Sequence, residues 1–457
     1  MTLVEQLRAA GREIAVVGLG KSGVAATRLL RACGLGVYAS DTGTGDAHQR
    51  WAAELRGLGA EVQLGGHDLE RIARAGAVVV APGVPPEVPP LEAARRAGVP
   101  IYAEVDLGFT ELPAATKAVG ITGTNGKTTT TSLIAHLLRE GGIAAETAGN
   151  IGVPLCDVAL SPAPPTWVAL ELSSFQLHDA PHVAPAVGVL TNLAPNHLDR
   201  YRTLEEYYGD KALLFANADD ASVWITNDDD LAVEEMAAGV AGRHLRFSIE
   251  TQSDGWLDHA RGMLMLGHDA LMPRAALPLL GDHNVANALA AALVAREAGV
   301  PLATIAEGLR SFRAIPHRVE PVREVGGVLW INDSKSTNVT STEVAVRAQE
   351  RHFVLLLGGR HKGEPYTKLA PLLADRCRGV VAYGESQPIV VQDLAHLVAV
   401  EAVTPADDFE AALTAARRLA RPGDAVLLSP ACSSYDMFRN YEQRGDRFRA
   451  LVEAMGA

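Results

Sequence analysis

The sequence predicts an α/β protein of three consecutive domains, at residues 1–107, 108–313 and 314–457. Three observations predict it. Glycine loops at 18–23 and 120–126 each stand between an apolar run and a helical stretch. From residue 328 onward, short apolar runs alternate with helical ones, the pattern of a parallel sheet with helices on its faces. A length of 457 residues also exceeds one core, at about 100–200 residues per domain.

In the first domain, residues 14–17 form an apolar strand. Gly18-Leu19-Gly20-Lys21-Ser22-Gly23 turns, and 24–32 reads as helix. A second strand at 36–39 runs out to Asp41. This is the glycine fingerprint of a Rossmann-like nucleotide fold, with its acidic residue about 20 positions on. The strand at 77–80 ends in Ala81-Pro82-Gly83, another loop at the carboxyl edge. Any uridine or adenosine diphosphate suits such a site. Alone, the motif equally fits an NAD-dependent dehydrogenase or glycines kept for packing; a dehydrogenase has no use for the loop that follows.

That loop, Gly120-Ile-Thr-Gly123-Thr124-Asn125-Gly126-Lys127-Thr128-Thr129, joins a strand at 118–121 to a helix expected at 132–139. Its glycines turn backbone N–H groups onto an anion, and the helix N-terminus faces the same place. Lys127 can reach terminal phosphates and Thr128 can offer a hydroxyl to Mg²⁺. The usual first glycine would fall at Ile121; Gly120 lies one residue further out. The central domain is therefore expected to be a P-loop ATPase domain, with the Lys127 side chain solvated in the absence of nucleotide.

After the connector 111–116, the central domain continues with the polar turn Ala148-Gly149-Asn150 and the buried strand 167–170 ending at Glu171. A P-loop protein places its metal-associated carboxylate there. The strand 187–191 leads into a polar loop containing His197, a residue as easily structural as a ligand. Residues 204–216 read as a helix carrying Lys211. Asn284 and Asn287 open the helix 285–297; they suit an adenine edge, and capping by Asn284 fits equally well.

The third domain has strands at 328–331, 353–357, 380–382 and 425–428, with helices at 343–349, 409–419 and 442–455. This is a second Rossmann-like sheet. Its loops carry Asp333-Ser-Lys335-Ser-Thr337, Lys362, and Ser429 to Ser434, at the strand ends where open α/β sheets bind ligands. Two lysines and several hydroxyls suit a small dicarboxylate. Cys432 reads as packing.

Composition narrows the classes. A net charge of −13 argues against a nucleic-acid surface. Four scattered cysteines without a CxxC pair suggest neither zinc cluster nor disulfide framework. No apolar run reaches the ~20 residues of a membrane span, and the charged N-terminal stretch lacks a signal-peptide core. A cytoplasmic protein, expected to be a monomer with no membrane or nucleic-acid partner, follows. Arg outnumbers Lys 34 to 7, so the lysines that remain are enriched for places where a guanidinium would not do.

In order along the chain, TGTNGKT, GNIG, ELSSFQL, NHLDR, HNVANALAA, NDSKSTN, LLGGRHKG and SPACSSYDMFRNYEQRG resemble the Mur ligase family, specifically its branch that adds D-glutamate to UDP-N-acetylmuramoyl-L-alanine in peptidoglycan synthesis. TGTNGKT is shared across that family and folylpolyglutamate synthases; the last of these have no need of the front nucleotide fold. The resemblance implies an ATP- and Mg²⁺-dependent ligase working through an acyl phosphate. It makes the first domain UDP-binding through Gly18, Leu19, Gly20, Lys21, Ser22, Asp41, Thr42 and Gly83, with Asn150 at the sugar-peptide end. Gly123 to Thr129 would hold ATP, with Asn287, Arg318 and Asp333 on adenine and ribose. Thr128, Glu171 and His197 would bind Mg²⁺, joined by Lys211 as a carbamate. An ammonium at 211 would repel that cation, and Lys127 with these residues forms the implied catalytic set. Thr337, Lys362, Ser434 and Tyr441, with Lys335 close by, would receive D-glutamate. Two departures stand out: Gly43-Thr44 where the family often has a basic residue, and Tyr441 where it commonly has Phe.

Overall fold

The computed structural model describes residues 2–195, 201–403 and 409–456. They build three sheets. The first is all parallel, in the order Glu61–Leu64, Val37–Asp41, Ile14–Val17, Ala77–Val80, Ile101–Ala103. The four residues Ile14–Val17 are buried throughout, as a central parallel strand covered on both faces requires.

The second sheet has nine strands, with Val187–Leu190, Lys117–Thr122, Trp167–Glu171 and Ala145–Gly149 forming its parallel end. At the other end, the hairpin strands Gly255–Asp258, Met263–Leu266 and Asp269–Pro273 turn antiparallel. The third sheet follows the order Glu320–Val325, Val328–Asn332, Ala425–Leu428, Phe353–Gly358, Cys377–Tyr383, Val400–Ala402. Only its first pair is antiparallel. By contacts the chain divides into two compact bodies. One holds Met1–Leu277 and Val285–Ser311, the other Pro278–Asn284 and Phe312–Ala457.

Several elements differ from expectation. The helix after the glycine loop begins at Lys127 and runs to Glu140, not from 132. Its first turns are threonines, weak helix formers, but Thr130 and Thr131 are fully buried and packing overrides propensity. The helix at 204 stops at Ala212 and tightens into a 3₁₀ turn, Leu213–Phe215. In the third domain, Asn338 caps Val339–Arg347 through Ser341 N–H at 2.8 Å, starting that helix four residues before the expected 343. The helix Asp282–Glu297 starts ahead of Asn284, whose amide instead donates to the Leu280 carbonyl at 2.8 Å.

Within the first body, Glu104 joins the first two sheets. The short helix Leu155–Ala159 follows Pro154, which offers no side-chain cap. Glu104 Oε1 fills that role from another helix, accepting the Cys156 N–H at 2.7 Å. Its Oε2 is buried with no hydrogen-bond partner. Burial pushes this carboxyl up to about 7, against the pull of the amides it caps. The folded chain therefore holds a proton that the unfolded chain releases above about 4.5. Glu104 carries no ionisation cost below that pH, and stability falls as pH rises toward 7, where the buried carboxylate ionises. Glu104→Gln should raise thermal stability at pH 8 by roughly 1–3 kcal/mol, and the gain should vanish below pH 4.5. Melting curves of both proteins across pH 4–8 check this; a gain independent of pH would refute the ionisation argument.

Candidate functional site

The loop between Lys117–Thr122 and Lys127–Glu140 is braced on every side by the first body. Asn192 accepts the Asn125 N–H at 2.9 Å and donates to the Asn125 carbonyl at 3.0 Å, which also takes the Thr191 hydroxyl at 2.6 Å. Thr124 Oγ1 exchanges hydrogen bonds with the Ala194 backbone at 3.0 and 3.1 Å and receives the Tyr207 hydroxyl at 3.3 Å. Thr191, Asn192 and Tyr207 were missed by motif reading. The only available signal was a polar pair at the end of a buried strand.

Gly126 takes φ 82° as the residue before the helix. A Cβ there would lie 2.4 Å from Asn287 Oδ1, an atom that also accepts the Thr130 hydroxyl at 3.2 Å. Asn287 thus packs under the loop. The expectation of a solvated Lys127 is corrected: its ammonium folds back on the Gly123 and Thr124 carbonyls, at 2.9 and 2.8 Å, which the turn of the glycine loop aims at it.

Lys211 is 1 % exposed. Its Nζ donates to the same Gly123 carbonyl at 2.7 Å and stands 4.6 Å over the Tyr207 ring. Burial first, and the nearby Lys127 charge second, lower its pKa to about 6, so the amine is largely neutral at pH 7–8. Glu171 ends its strand opposite Ile121 and Gly149. Its Oε1 accepts from Asn150 at 2.7 Å, while Oε2 is buried without a partner. The second expected site residue, Asn150, is thereby brought to Glu171. His197 lies outside the described residues.

An orphan carboxylate oxygen and the Thr128 hydroxyl in the first helical turn fit a hard divalent cation such as Mg²⁺. Among the described residues no group of three His, Cys, Asp or Glu could hold a metal. So sparse a set is usual for Mg²⁺, which keeps waters and takes phosphate oxygens.

A separate cavity of about 690 Å³ opens at the carboxyl ends of the first sheet, lined by Gly18, Gly20, Lys21, Ser22, Asp41, Thr42 and Gly83 among others. Leu19 does not line it: its side chain is buried and its N–H donates to Asp41 Oδ2 at 2.5 Å. Asp41 Oδ1 accepts from Gly43 N–H at 2.6 Å. A Cβ at Gly43 would lie 2.5 Å from the His48 ring, whose Nε2 is 3.7 Å from Asp41 Oδ1. An imidazole therefore occupies the space beside the position where a basic side chain was missing. A second cavity, about 650 Å³, shares Ala81, Pro82 and Val84 with the first and reaches Phe175, Gln176 and Tyr201.

In the second body, Lys335 Nζ donates to the Tyr441 hydroxyl at 2.9 Å and lies 4.1 Å from its ring centre. Lys362 reaches Thr337 Oγ1 at 3.4 Å, and Ser434 is buried. The unforeseen Arg444 is fully buried and ties these loops together, donating to Ser334 Oγ and O and to the Cys432 carbonyl. Cys432 packs against the Tyr366 hydroxyl at 2.7 Å. Asp333 accepts from Val319 N–H at 3.1 Å and from the Ser429 and Ser336 hydroxyls; its burial pushes the carboxyl up to about 6. Arg318 sits between His317 and Val319, both in the left-handed region at φ 67° and 44°. Such backbone is costly for a β-branched residue and tends to occur at functional sites.

Profiles of three families match the chain: Mur ligase MurD-like, N-terminal domain at residues 12–103, Mur ligase middle domain at 121–295, and Mur ligase, glutamate ligase domain at 317–432. A protein of Salinibacter ruber named UDP-N-acetylmuramoylalanine–D-glutamate ligase is 42% identical, aligning 96% of this chain with 97% of its own. One of the same name from Acidobacterium capsulatum is 39% identical, over 97% and 96%. Among solved structures, MurF of Acinetobacter baumannii superposes with a TM-score of 0.62 at 17% identity, covering 98% of each chain. The UDP-N-acetylmuramate–alanine ligase of Thermotoga maritima gives 0.60 at 19%, covering 97% of this chain and 99% of that one.

Gly126→Ala should weaken nucleoside triphosphate binding at least about tenfold, since left-handed strain of roughly 1–2 kcal/mol adds to the collision with Asn287. Titration of the full chain with a non-hydrolysable ATP analogue, beside its melting curve, checks this; unchanged affinity would refute the fit.

Proposed function

The chain belongs to the Mur ligase family, and we propose that it joins D-glutamate to UDP-N-acetylmuramoyl-L-alanine at the expense of ATP, in cytoplasmic peptidoglycan precursor synthesis. The observation that carries this reading is a phosphate-binding loop with a buried carboxylate beside it, in the same chain as a separate nucleotide cavity. An enzyme that hydrolyses ATP while holding a nucleotide-linked substrate needs both. The names of relatives aligned end to end supply the amino acid.

The chemistry follows from what a carboxylate lacks. It is a poor electrophile until one oxygen becomes a leaving group, so the γ-phosphate of ATP is transferred to the L-alanyl carboxylate, giving an acyl phosphate. The amine of D-glutamate attacks its carbonyl carbon, a tetrahedral intermediate forms, and phosphate leaves as the C–N bond is made. Bound phosphates draw Lys127 off the Gly123 and Thr124 carbonyls, placing its charge where negative charge develops. The N–H groups of Gly126 to Thr129, at the helix N-terminus, cradle the same anion, while those of Thr124 and Asn125 stay on Asn192. Thr128, Glu171 and His197 would hold Mg²⁺, which neutralises charge between substrate oxygens when bound.

Asn287 in the first body, and Arg318 and Asp333 in the second, are the candidates for adenine and ribose. Gly18, Gly20, Lys21, Ser22, Asp41, Thr42 and Gly83 are assigned to the UDP portion, with Asn150 and the second cavity toward the sugar and peptide. Leu19 serves by tying the loop to Asp41. Lys335, Thr337, Lys362, Ser434 and Tyr441 are assigned to D-glutamate.

For Lys211 we infer a carbamate. Its neutral amine can attack CO₂: an N–C bond forms, one C=O electron pair moves to oxygen, and a proton leaves to water. The product replaces a buried cation by anionic oxygens of the kind Mg²⁺ prefers.

Phosphate release with ATP, UDP-N-acetylmuramoyl-L-alanine and a panel of amino acids tests the assignment. D-glutamate alone should give turnover; turnover with L-lysine or meso-diaminopimelate instead would overturn it. Arg cannot form a carbamate, so Lys211→Arg should lose most activity while Lys368→Arg keeps it. Lys211→Ala should recover part of its rate in added acetate. A fully active Lys211→Arg enzyme would end the carbamate reading.

A further inference from the structure

The cavity of the first sheet has a polar group that no assignment uses. In Rossmann-like folds the carboxylate ending the second strand commonly takes a ribose hydroxyl. Here both oxygens of Asp41 already accept backbone N–H groups, of Leu19 at 2.5 Å and of Gly43 at 2.6 Å. Asp41 braces the loop and keeps a lone pair on each oxygen for the ribose, so recognition of the base falls to other groups facing the cavity.

His67 lines it, three residues past the strand Glu61–Leu64. Its Nδ1 lies 2.8 Å from Ser40 Oγ. Ser40 is fully buried, and among the described residues this is the one hydrogen bond of its hydroxyl. If Nδ1 carried the proton, the Ser40 O–H would be buried with no acceptor, at a cost of about 1–3 kcal/mol. The hydroxyl therefore donates to Nδ1, and the proton of the neutral ring sits on Nε2. That N–H has no partner in the protein among the described residues. Burial holds the ring below the usual histidine range, in keeping with a neutral imidazole.

Strand order says what this donor meets. The sheet runs Glu61–Leu64, Val37–Asp41, Ile14–Val17 from its edge inward. A diphosphate on the Gly18–Gly23 loop lies above the third of these. His67 follows the outermost, and its ring rests on Ser40 of the second, one to two strand spacings or roughly 5–10 Å from that loop. The outer part of that range is the reach from diphosphate to the far edge of the base. Uracil presents the O4 carbonyl there, and cytosine an amine.

We propose that His67 is the base-specificity residue of this site, donating Nε2–H to uracil O4 and rejecting cytosine by opposing donor to donor. The proposal rests on the uridine-nucleotide reading of the cavity. Titration of the full-length protein with UDP and with CDP tests it, beside steady-state kinetics. Wild type should bind UDP at least about tenfold tighter than CDP, the scale of one hydrogen bond gained against one opposed. His67→Phe should lose that preference and raise KM for the UDP-linked substrate about tenfold, with kcat within about twofold and KM for ATP unchanged. His67→Asn, whose amide reaches Ser40 but not the base, should repeat the loss without added bulk. His67→Gln, with a donor at the Nε2 reach, should restore affinity to within about threefold. Loosening of UDP and CDP by the same factor, or unchanged UDP affinity in both the Phe and Asn variants, would overturn the proposal while leaving the uridine reading intact. A wild-type protein that binds no UDP would overturn both.

Discussion

The Gly123 carbonyl accepts two lysines, Lys127 from its own loop and Lys211 from a helix far along the chain. Two ammonium groups converging on one oxygen repel by roughly 3 kcal/mol, even at an effective dielectric of about 20. Only one can comfortably stay charged, and burial decides which. Lys127 is partly exposed and Lys211 is not. The neutral amine follows from burial first and from the second cation after it.

Much of this was legible in the sequence, for one reason. Glycine loops between strand and helix carry their chemistry in the backbone, so Gly18–Gly23 and Gly123–Thr128 announce themselves by spacing. Strand ends did nearly as well, placing Asp41 and Glu171. What could not be read depended on partners distant in sequence. Nothing near Lys127 says that its resting contacts are carbonyls of its own loop. Nothing near Glu104 says that a helix starting at Leu155, after an uncapped proline, will bring it an N–H. The threonines at 128–131 read as loop because their burial is invisible to propensity, and the hairpin strands from 255 to 273 lacked clear alternation.

The second body uses the reverse strategy. Its loops are held by side chains: Arg444 spans two of them through Ser334 and the Cys432 carbonyl, and Asp333 gathers two hydroxyls and a backbone N–H. A buried arginine contributes little net stability against an apolar substitute, but its rigid fork fixes several acceptors at once. The gain is in geometry, at strand ends where anionic ligands are expected.

The backbone around Arg318 carries a consequence for anyone seeking a hardier protein. His317 and Val319 are wrong-handed neighbours, and ordinary stabilisation by sequence averaging or glycine replacement would relax them first. A glycine at either place would relieve the left-handed strain and would also loosen the backbone that carries Arg318, the residue proposed for adenine and ribose. Stabilising changes are better sought away from residues 317–319.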